Sequence, residues 1–323
     1  MIRIGIIGYG NLGRGVERVA SLNKDIEVVG VFTRRNPEEV STLYSKVYDL
    51  NNLLEFKGHI DVCILCGGSA NDLPEQTPKI IKGFNTVDSF DNHGKIPEYF
   101  KKIDKIAKAN GTVSVISAGW DPGLFSINRL IGEAILPQGD TYTFWGKGVS
   151  QGHSDAIRSI EGVKYGVQYT IPNEEIIERI IGGEKLELST ADGHTRLCYL
   201  VKDEKANEDR ICEQIVSMPN YFADYKTIVK FITEEEFKKK HLGMPHGGRV
   251  LRIGNTKDGT THVYEFKLKL ESNPEFTASV SVSYARACYR LVREGNKGAY
   301  TVLDIPPKYL SPKTDIQLQI ELL

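Results

Sequence analysis

The stretch Ile2-Arg3-Ile4-Gly5-Ile6-Ile7-Gly8-Tyr9-Gly10-Asn11-Leu12-Gly13 decides how the rest of the chain is read. A short β-branched run leads directly into Gly-x-Gly-x-x-Gly, and residues 15–20 beyond it can continue as a helix. In that order the first glycine, Gly8, allows a tight turn. The second, Gly10, lets backbone approach a pyrophosphate, and the third, Gly13, lets a helix lie close to the strand. The helix N-terminus then presents free N–H groups to the anion, which makes Asn11 and Leu12 part of the expected contact. By itself the motif is also compatible with a plain glycine-rich turn, so its neighbours carry the reading.

Working outward, the first third repeats one unit: an apolar run, a helix-like stretch, another run. The runs are Ile2–Ile7, Ile26–Phe32, Asp61–Cys66, Thr86–Ser89 and Thr112–Ser117. Short continuous runs separated by amphipathic segments are what a parallel sheet covered on both faces requires. From about Asp140 the pattern changes to longer alternating stretches, namely Gly162–Ile171, Thr195–Val201, Arg249–Ile253, Thr261–Glu271 and Phe276–Tyr284. These are read as strands with one packed face, and Ala285–Glu294 as a helix. The expected fold is therefore α/β: a Rossmann-type doubly wound parallel sheet plus a second α+β substrate and dimerisation domain on a largely antiparallel sheet. Residues 1–122 form the first domain and 123–298 the second, with 299–323 packing back on the first.

Composition bounds the function. A chain of 323 residues is long enough for two domains with sizeable cores. Its 40% hydrophobic and 26% charged residues and net charge of -1 fit an ordinary globular protein and give no sign of a nucleic-acid or membrane partner. The strand pattern beginning at once leads us to expect no signal peptide, and no apolar run is long enough to span a bilayer. Five scattered cysteines argue against a disulfide framework and for a reducing, cytoplasmic setting. Cys63 and Cys66 form a Cys-x-x-Cys, but inside a strand they point to opposite faces, and no metal is expected.

The end of the second strand meets the adenosine ribose in such folds, and an acidic residue there would accept from the 2′-hydroxyl of NAD. This chain has Thr33-Arg34-Arg35 instead. Two guanidiniums and a hydroxyl suit a 2′-phosphate, each charged hydrogen bond contributing about 1.5–3 kcal/mol, so NADP is the expected cofactor. The other reading of the pair is a solvated basic surface. Cys66-Gly67-Gly68-Ser69 follows the third strand and is expected to line the nicotinamide half. Ser89-Phe90-Asp91 and Ala118-Gly119-Trp120-Asp121-Pro122-Gly123 fall past later strand ends on the same edge, where ligands bind, and are expected beside the cofactor too. Asp91 and Asp121 could there hold a substrate ammonium; alone, either is as readily a cap or turn residue.

Taken with Trp145-Gly146-Lys147-Gly148-Val149-Ser150-Gln151-Gly152-His153-Ser154-Asp155-Ala156 and Met244-Pro245-His246-Gly247-Gly248, these motifs resemble, in the same order, those of the meso-diaminopimelate D-dehydrogenase family. The resemblance runs from the first strand to Thr301-Val302-Leu303. It implies reversible oxidative deamination at the D centre of meso-2,6-diaminopimelate, giving L-2-amino-6-oxopimelate, ammonia and NADPH in lysine biosynthesis. It implies that Asp91 and Asp121 meet the reacting amine, with Trp145, Gln151 and Gly152 shaping that end. Thr170, Arg196 and His246 would hold the L centre with Asn273 nearby and Asp155 as a further neighbour, and the enzyme would be a homodimer. The chemistry of a doubly zwitterionic substrate asks for such anionic and cationic anchors in any case, and Arg196 offers a bidentate fork for a carboxylate. An aspartate could assist proton transfer, with Lys147 as the alternative base. Two other readings stay open at this point: a different NADPH oxidoreductase of the same plan, and a non-catalytic NADPH-binding sensor.

Overall fold

The computed structural model describes residues 1–189, 191–219 and 221–323. Its first elements are β1 (Ile2–Ile7), α1 (Asn11–Ser21), β2 (Ile26–Thr33), β3 (Val47–Asp49), β4 (Val62–Leu65), α2 (Leu73–Ile80), β5 (Asn85–Asp88), α3 (Ile96–Asn110), β6 (Val113–Val115) and α4 (Leu124–Ile135). Then come β7 (Gly139–Trp145), β8 (Gly148–Val149), α5 (Gln151–Arg158), β9 (Val163–Pro172), α6 (Glu174–Ile181), β10 (His194–Lys202), α7 (Glu208–Val216), β11 (Lys226–Phe231) and α8 (Glu234–Lys240). The chain ends with β12 (His246–Lys257), β13 (Thr260–Leu270), α9 (Asn273–Arg293), β14 (Gly298–Tyr300) and α10 (Asp315–Leu322). Two compact units result, Met1–Ile127 with Pro274–Leu323, and Asn128–Asn273.

In the first unit seven strands lie in the order β14-β6-β5-β4-β1-β2-β3, each pair parallel. This is the doubly wound sheet read from the sequence. Alternation along the strands divides the core between two faces. Ile4, Ile6 and Ile64 pack with Val16 and Ala20 of α1, whereas Ile7, Cys63 and Leu65 pack with Ile103 and Ala107 of α3. Cys63 and Cys66 accordingly go to opposite faces, the first into one core and the second against the other. Cys63 and Cys288 are buried, and burial pushes both thiols far above the usual cysteine range. Because β1 lies between β4 and β2, the strand order reverses at its carboxyl end, where doubly wound sheets open a crevice for ligands.

One strand expected from the sequence is a helix. Phe276–Tyr284 alternates apolar and small polar residues, but it forms the first half of α9, and the chain rejoins the first unit at Pro274 rather than near residue 299. The serines explain both the pattern and its failure. Ser281 and Ser283 return their hydroxyls to the carbonyls of Thr277 and Ser279 four residues back, at 2.9 and 3.1 Å. Their polarity is thus absorbed within the helix, and Ala278, Ser281, Val282, Ala285 and Cys288 can all be buried. The return of the last segment is seen in β14, which pairs in parallel with β6.

In the second unit β11-β10-β9-β8 form one sheet and β13-β12-β7 another. Every pair is antiparallel except β10 with β11. Among the described residues no helix is long and apolar enough to cross a membrane.

Gly13 tests the central packing constraint. A Cβ built there lies 2.3 Å from the carbonyl oxygen of Gly8, far inside contact distance. Helix propensity alone would make Gly13→Ala stabilising by about 1 kcal/mol. Overpacking costs about 1–3 kcal/mol or more and here involves unyielding backbone, so net destabilisation is expected. A urea midpoint at or above the native value would contradict this packing.

Candidate active site

In the first unit, a cavity of about 280 Å³ lies at the reversal point, bounded by Gly8-Tyr9-Gly10, Thr33-Arg34-Arg35 and Cys66-Gly67-Gly68. Gly8 turns the chain with φ +89°. A Cβ on Gly10 would point into open space, and Gly10 is also the N-cap of α1, so no cap side chain occupies the helix end. That is the cradle a pyrophosphate requires, and the residues present fit a dinucleotide. Leu12 and Gly13 stand behind it: Leu12 packs on the core, and Gly13 supports the turn from below. Arg34 reaches Asp72 at 2.6 Å, and Asp72 also accepts the N–H of Gly68 at 2.8 Å. Arg35 donates to the carbonyl of Tyr9 at 2.7 Å, while its N–H meets the Thr33 hydroxyl at 3.1 Å. Both guanidiniums are thereby held along the pocket.

Beneath this pocket lies a group the sequence reading did not single out. Glu17 of α1 is buried, and its carboxylate accepts the hydroxyl of Tyr9 and the N–H groups of Leu43, Tyr44 and Ser45, the last three at 3.0, 3.0 and 2.7 Å. Burial pushes the carboxyl up, but these donors outweigh it and hold it at about 2. Burial, reinforced by the facing carboxylate, raises the Tyr9 hydroxyl to about 12. The pair fixes the glycine turn from behind.

Asp91 and Asp121 sit on loops past β5 and β6. Asp91 is exposed, and its N–H donates to the Ser69 hydroxyl at 2.8 Å, joining two of the expected loops. Asp121 lies in a closed turn: Gly119 N–H donates to the Pro122 carbonyl at 3.1 Å, and Phe125 N–H to the Trp120 carbonyl at 2.8 Å. Gly123, with φ +137°, would place a Cβ 1.6 Å from the Gly119 carbonyl oxygen, so only glycine closes this turn. Trp120 is buried edge-on against Phe125 at 5.2 Å. Ser89, Phe90 and Ala118 form the backs of these loops, with Phe90 and Ala118 buried.

The second unit gathers its own set. Arg196 of β10 pairs in register with Thr170 of β9, and its guanidinium donates to the Thr170 hydroxyl at 2.6 Å. The ring of Tyr225 covers it at 4.0 Å. The side chain is buried, burial lowers its affinity for the proton, and its Nε has no hydrogen-bond partner among the described residues. Thr170 also pairs with Gly148, and a Cβ on Gly148 would lie 2.5 Å from His246, so the histidine sits directly against that strand. Gln151 reaches the sulfur of Met244 at 3.1 Å, and Asn273 N–H donates to the Met244 carbonyl at 2.9 Å. Trp145, at the end of β7, donates its N–H to His194 at 2.9 Å. Gly152 opens α5, with empty space where a Cβ would be.

Asp155 is exposed on α5 and paired with Arg158, and Lys147 is exposed. His153, not singled out earlier, is packed edge-on to Tyr221 and Phe222. Burial, with the nearby Arg196 charge, lowers it to about 4, so it is neutral at pH 7. A buried guanidinium held by the Thr170 hydroxyl and by Tyr225, with its Nε unbonded among the described residues, is costly unless an anion completes it, which suits a carboxylate ligand.

Comparison with known proteins agrees with these chemistries. Residues 119–272 match the family model of the diaminopimelic acid dehydrogenase C-terminal domain. The chain is 57% identical over 323 residues to the meso-diaminopimelate D-dehydrogenase of Lysinibacillus sphaericus, covering 100% of this chain and 99% of that one. Among solved structures, a six-substitution mutant of the meso-DAP dehydrogenase of Clostridium tetani E88 with DAP has TM-score 0.94 and 55% identity, over 100% of both chains. An engineered D-amino acid dehydrogenase bound to NADP+ has TM-score 0.87 and 42% identity, over 100% of this chain and 99% of that one.

The Glu17 cluster yields a pH test. A carboxyl depressed in the fold contributes stability that is fully present above its unfolded value of about 4.3 and lost as pH falls from there through the folded value. Glu17→Gln is expected to lower stability at pH 7 by about 1–3 kcal/mol. The gap to the native protein should narrow steadily in urea titrations carried from pH 5 to pH 3. A gap that stays constant over that range would show that the charge does not matter.

Proposed function

The chain belongs to the meso-diaminopimelate D-dehydrogenase family, and from that membership we propose its reaction: NADP-dependent, reversible oxidative deamination at the D centre of meso-2,6-diaminopimelate. The products are L-2-amino-6-oxopimelate, ammonia and NADPH, an oxidation of CH–NH2 in lysine biosynthesis. The observation that carries this reading is the buried, incompletely bonded Arg196, a cation prepared for a carboxylate beside hydrogen-bonding Thr170 and His246.

A second observation supports the same residues. The six positions substituted in the Clostridium tetani mutant are Gln, Thr, Arg, Pro, His and Asn. This chain has those residue types, in that order and at identical spacings, at Gln151, Thr170, Arg196, Pro245, His246 and Asn273. Arg196 would grip the carboxylate of the L centre through its fork, with Thr170, His246 and Asn273 offering hydrogen bonds beside it. Trp145, Gln151 and Gly152 would shape the other end.

Asp91 and Asp121 would orient the D-centre amine. The amine gives up a proton and its carbon a hydride, leaving C=N; water then adds to that carbon and ammonia departs. Either aspartate is suited to take or return the proton. NADP, when bound, accepts the hydride. Arg34, Arg35 and Thr33 would hold its 2′-phosphate, the Gly8–Gly13 turn its pyrophosphate, and the loops at 66–69, 89–91 and 118–123 its remaining length. Most of the acceleration would come from positioning.

We also propose a homodimer formed through the long strands of the second unit, where β13 is an edge strand with Val263 exposed. A cytoplasmic setting fits the unpaired cysteines.

Purified enzyme with NADP should reduce the nicotinamide and release ammonia with the meso isomer of diaminopimelate and not with the LL or DD isomers. Activity on none of them would refute the reading. With NADPH, substitution of Arg34 and Arg35 together by serine is expected to raise KM by about 100-fold or more, from two lost charged hydrogen bonds of about 1.5 kcal/mol or more each. The KM for NADH should hardly change; equal effects on both cofactors in initial-rate assays would overturn the assignment.

A further inference from the structure

The loops carrying Asp91 and Asp121 leave adjacent strands and are tied together from behind by one side chain. Asp88, the last residue of β5, is completely buried. Its Oδ1 accepts the N–H of Phe90 at 3.1 Å and the N–H of Ser117 at 3.1 Å. Its Oδ2 accepts the Tyr99 hydroxyl at 2.7 Å and the Thr77 hydroxyl at 3.4 Å, and its main-chain carbonyl accepts the N–H of Ala118 at 2.8 Å. The two N–H groups on Oδ1 can only donate, whereas the Tyr99 and Thr77 hydroxyls on Oδ2 also lie 2.6 Å from each other. Burial raises this carboxyl above its ordinary value although the hydrogen bonds from Tyr99, Phe90 and Ser117 pull the other way.

The two N–H groups on Oδ1 are the informative ones. Phe90 immediately precedes Asp91, so that bond fixes where the Asp91 loop leaves the strand. Ser117 begins the turn that ends at Gly123 and holds Asp121. It has φ +57°, a left-handed conformation an ordinary side chain disfavours, and its hydroxyl is buried without a partner among the described residues. The serine hydroxyl therefore does not hold that backbone in place; the bond from its N–H to Asp88 does. Beyond it the turn is closed by its own backbone bonds and by Gly123, so an error at Ser117 would be carried rigidly to Asp121.

We infer that Asp88 is a positioning residue: its carboxyl sets the Asp91 and Asp121 loops in mutual register without itself touching substrate. The inference rests on the roles proposed above for those two aspartates.

The test is steady-state kinetics with meso-diaminopimelate, NADPH affinity by fluorescence titration and the urea midpoint, on four variants of the full chain. Asp88→Ala should lower kcat by about 10- to 100-fold with a smaller rise in the NADPH Kd, about fivefold at most because the same loops also line part of the cofactor, since misplacing reacting groups by a fraction of an ångström is enough. Asp88→Asn keeps an oxygen for both N–H groups and should restore kcat to within about threefold of native. Tyr99→Phe removes a donor to the other oxygen, and should lower the urea midpoint with little effect on kcat. The inference is overturned if Asp88→Ala keeps native kcat, if Asp88→Asn falls as far as Ala, or if NADPH affinity falls by as large a factor as kcat. Should Asp88→Ala not fold, Asp88→Ser replaces it with the same expected losses; if neither folds, the role is structural and the inference falls. As the fourth variant, Asp91→Asn with Asp121→Asn must itself lose activity. Native kcat there would overturn the roles given to those aspartates, and the inference with them, whatever Asp88 does.

Discussion

Between the carbonyl of Gly8 and the backbone of Gly13 there is room for a hydrogen atom and nothing larger, the would-be Cβ lying 2.3 Å from the oxygen. The first unit depends on that approach. It presses α1 onto β1 so that the helix N-terminus faces the crevice instead of the core, and it aligns Gly15 so that α9 comes to within 2.9 Å of where a Cβ would be. Buried Glu17 on the same helix then reaches Tyr9 and the 43–45 backbone, which fixes the floor under the glycine turn. A single steric requirement thus sets the packing of one helix, the seat of another and the direction in which the helix N-terminus points.

The second unit solves a different problem. Its site holds a cation in low-dielectric surroundings with a hydroxyl and an aromatic face for company, Thr170 at 2.6 Å and Tyr225 at 4.0 Å. Such a group is held in place by the rest of the unit, and its unmet demand is what suits it to the carboxylate role proposed for it. The neighbouring His153, held at about 4 by burial and by that same charge, adds no second cation near neutrality.

How much of this was legible beforehand depended on range. The Gly8–Gly13 turn, the Thr33-Arg34-Arg35 strand end and the loops at Asp91 and Asp121 could be read because each is a local pattern at a place where a parallel sheet puts ligands. The strand assignment for residues 276–284 failed because alternating serine imitates a half-exposed strand, while in the chain those hydroxyls are satisfied one helical turn back. Asp88, Glu17 and Asp72 were invisible for another reason. Their meaning lies in donors brought from distant segments, such as Ser117 and Tyr99 on Asp88 or Ser45 on Glu17, and no spacing along the chain announces them. Arg196, Thr170 and His246 were available only through likeness to a family, since an arginine on a strand carries no signature until its partner strand is known.

The thiols sealed in the sheet have a consequence for how the protein meets oxidants. Cys63 and Cys288 lie in the core on either side of the strands, and burial keeps them protonated; Cys198 in the second unit is held at about 12. Peroxides and alkylating agents attack the thiolate, so these sulfurs are chemically silent while the chain is folded. Damage of that kind can reach them only in molecules that have already opened, which makes oxidation at these three sulfurs a measure of unfolding and not of turnover.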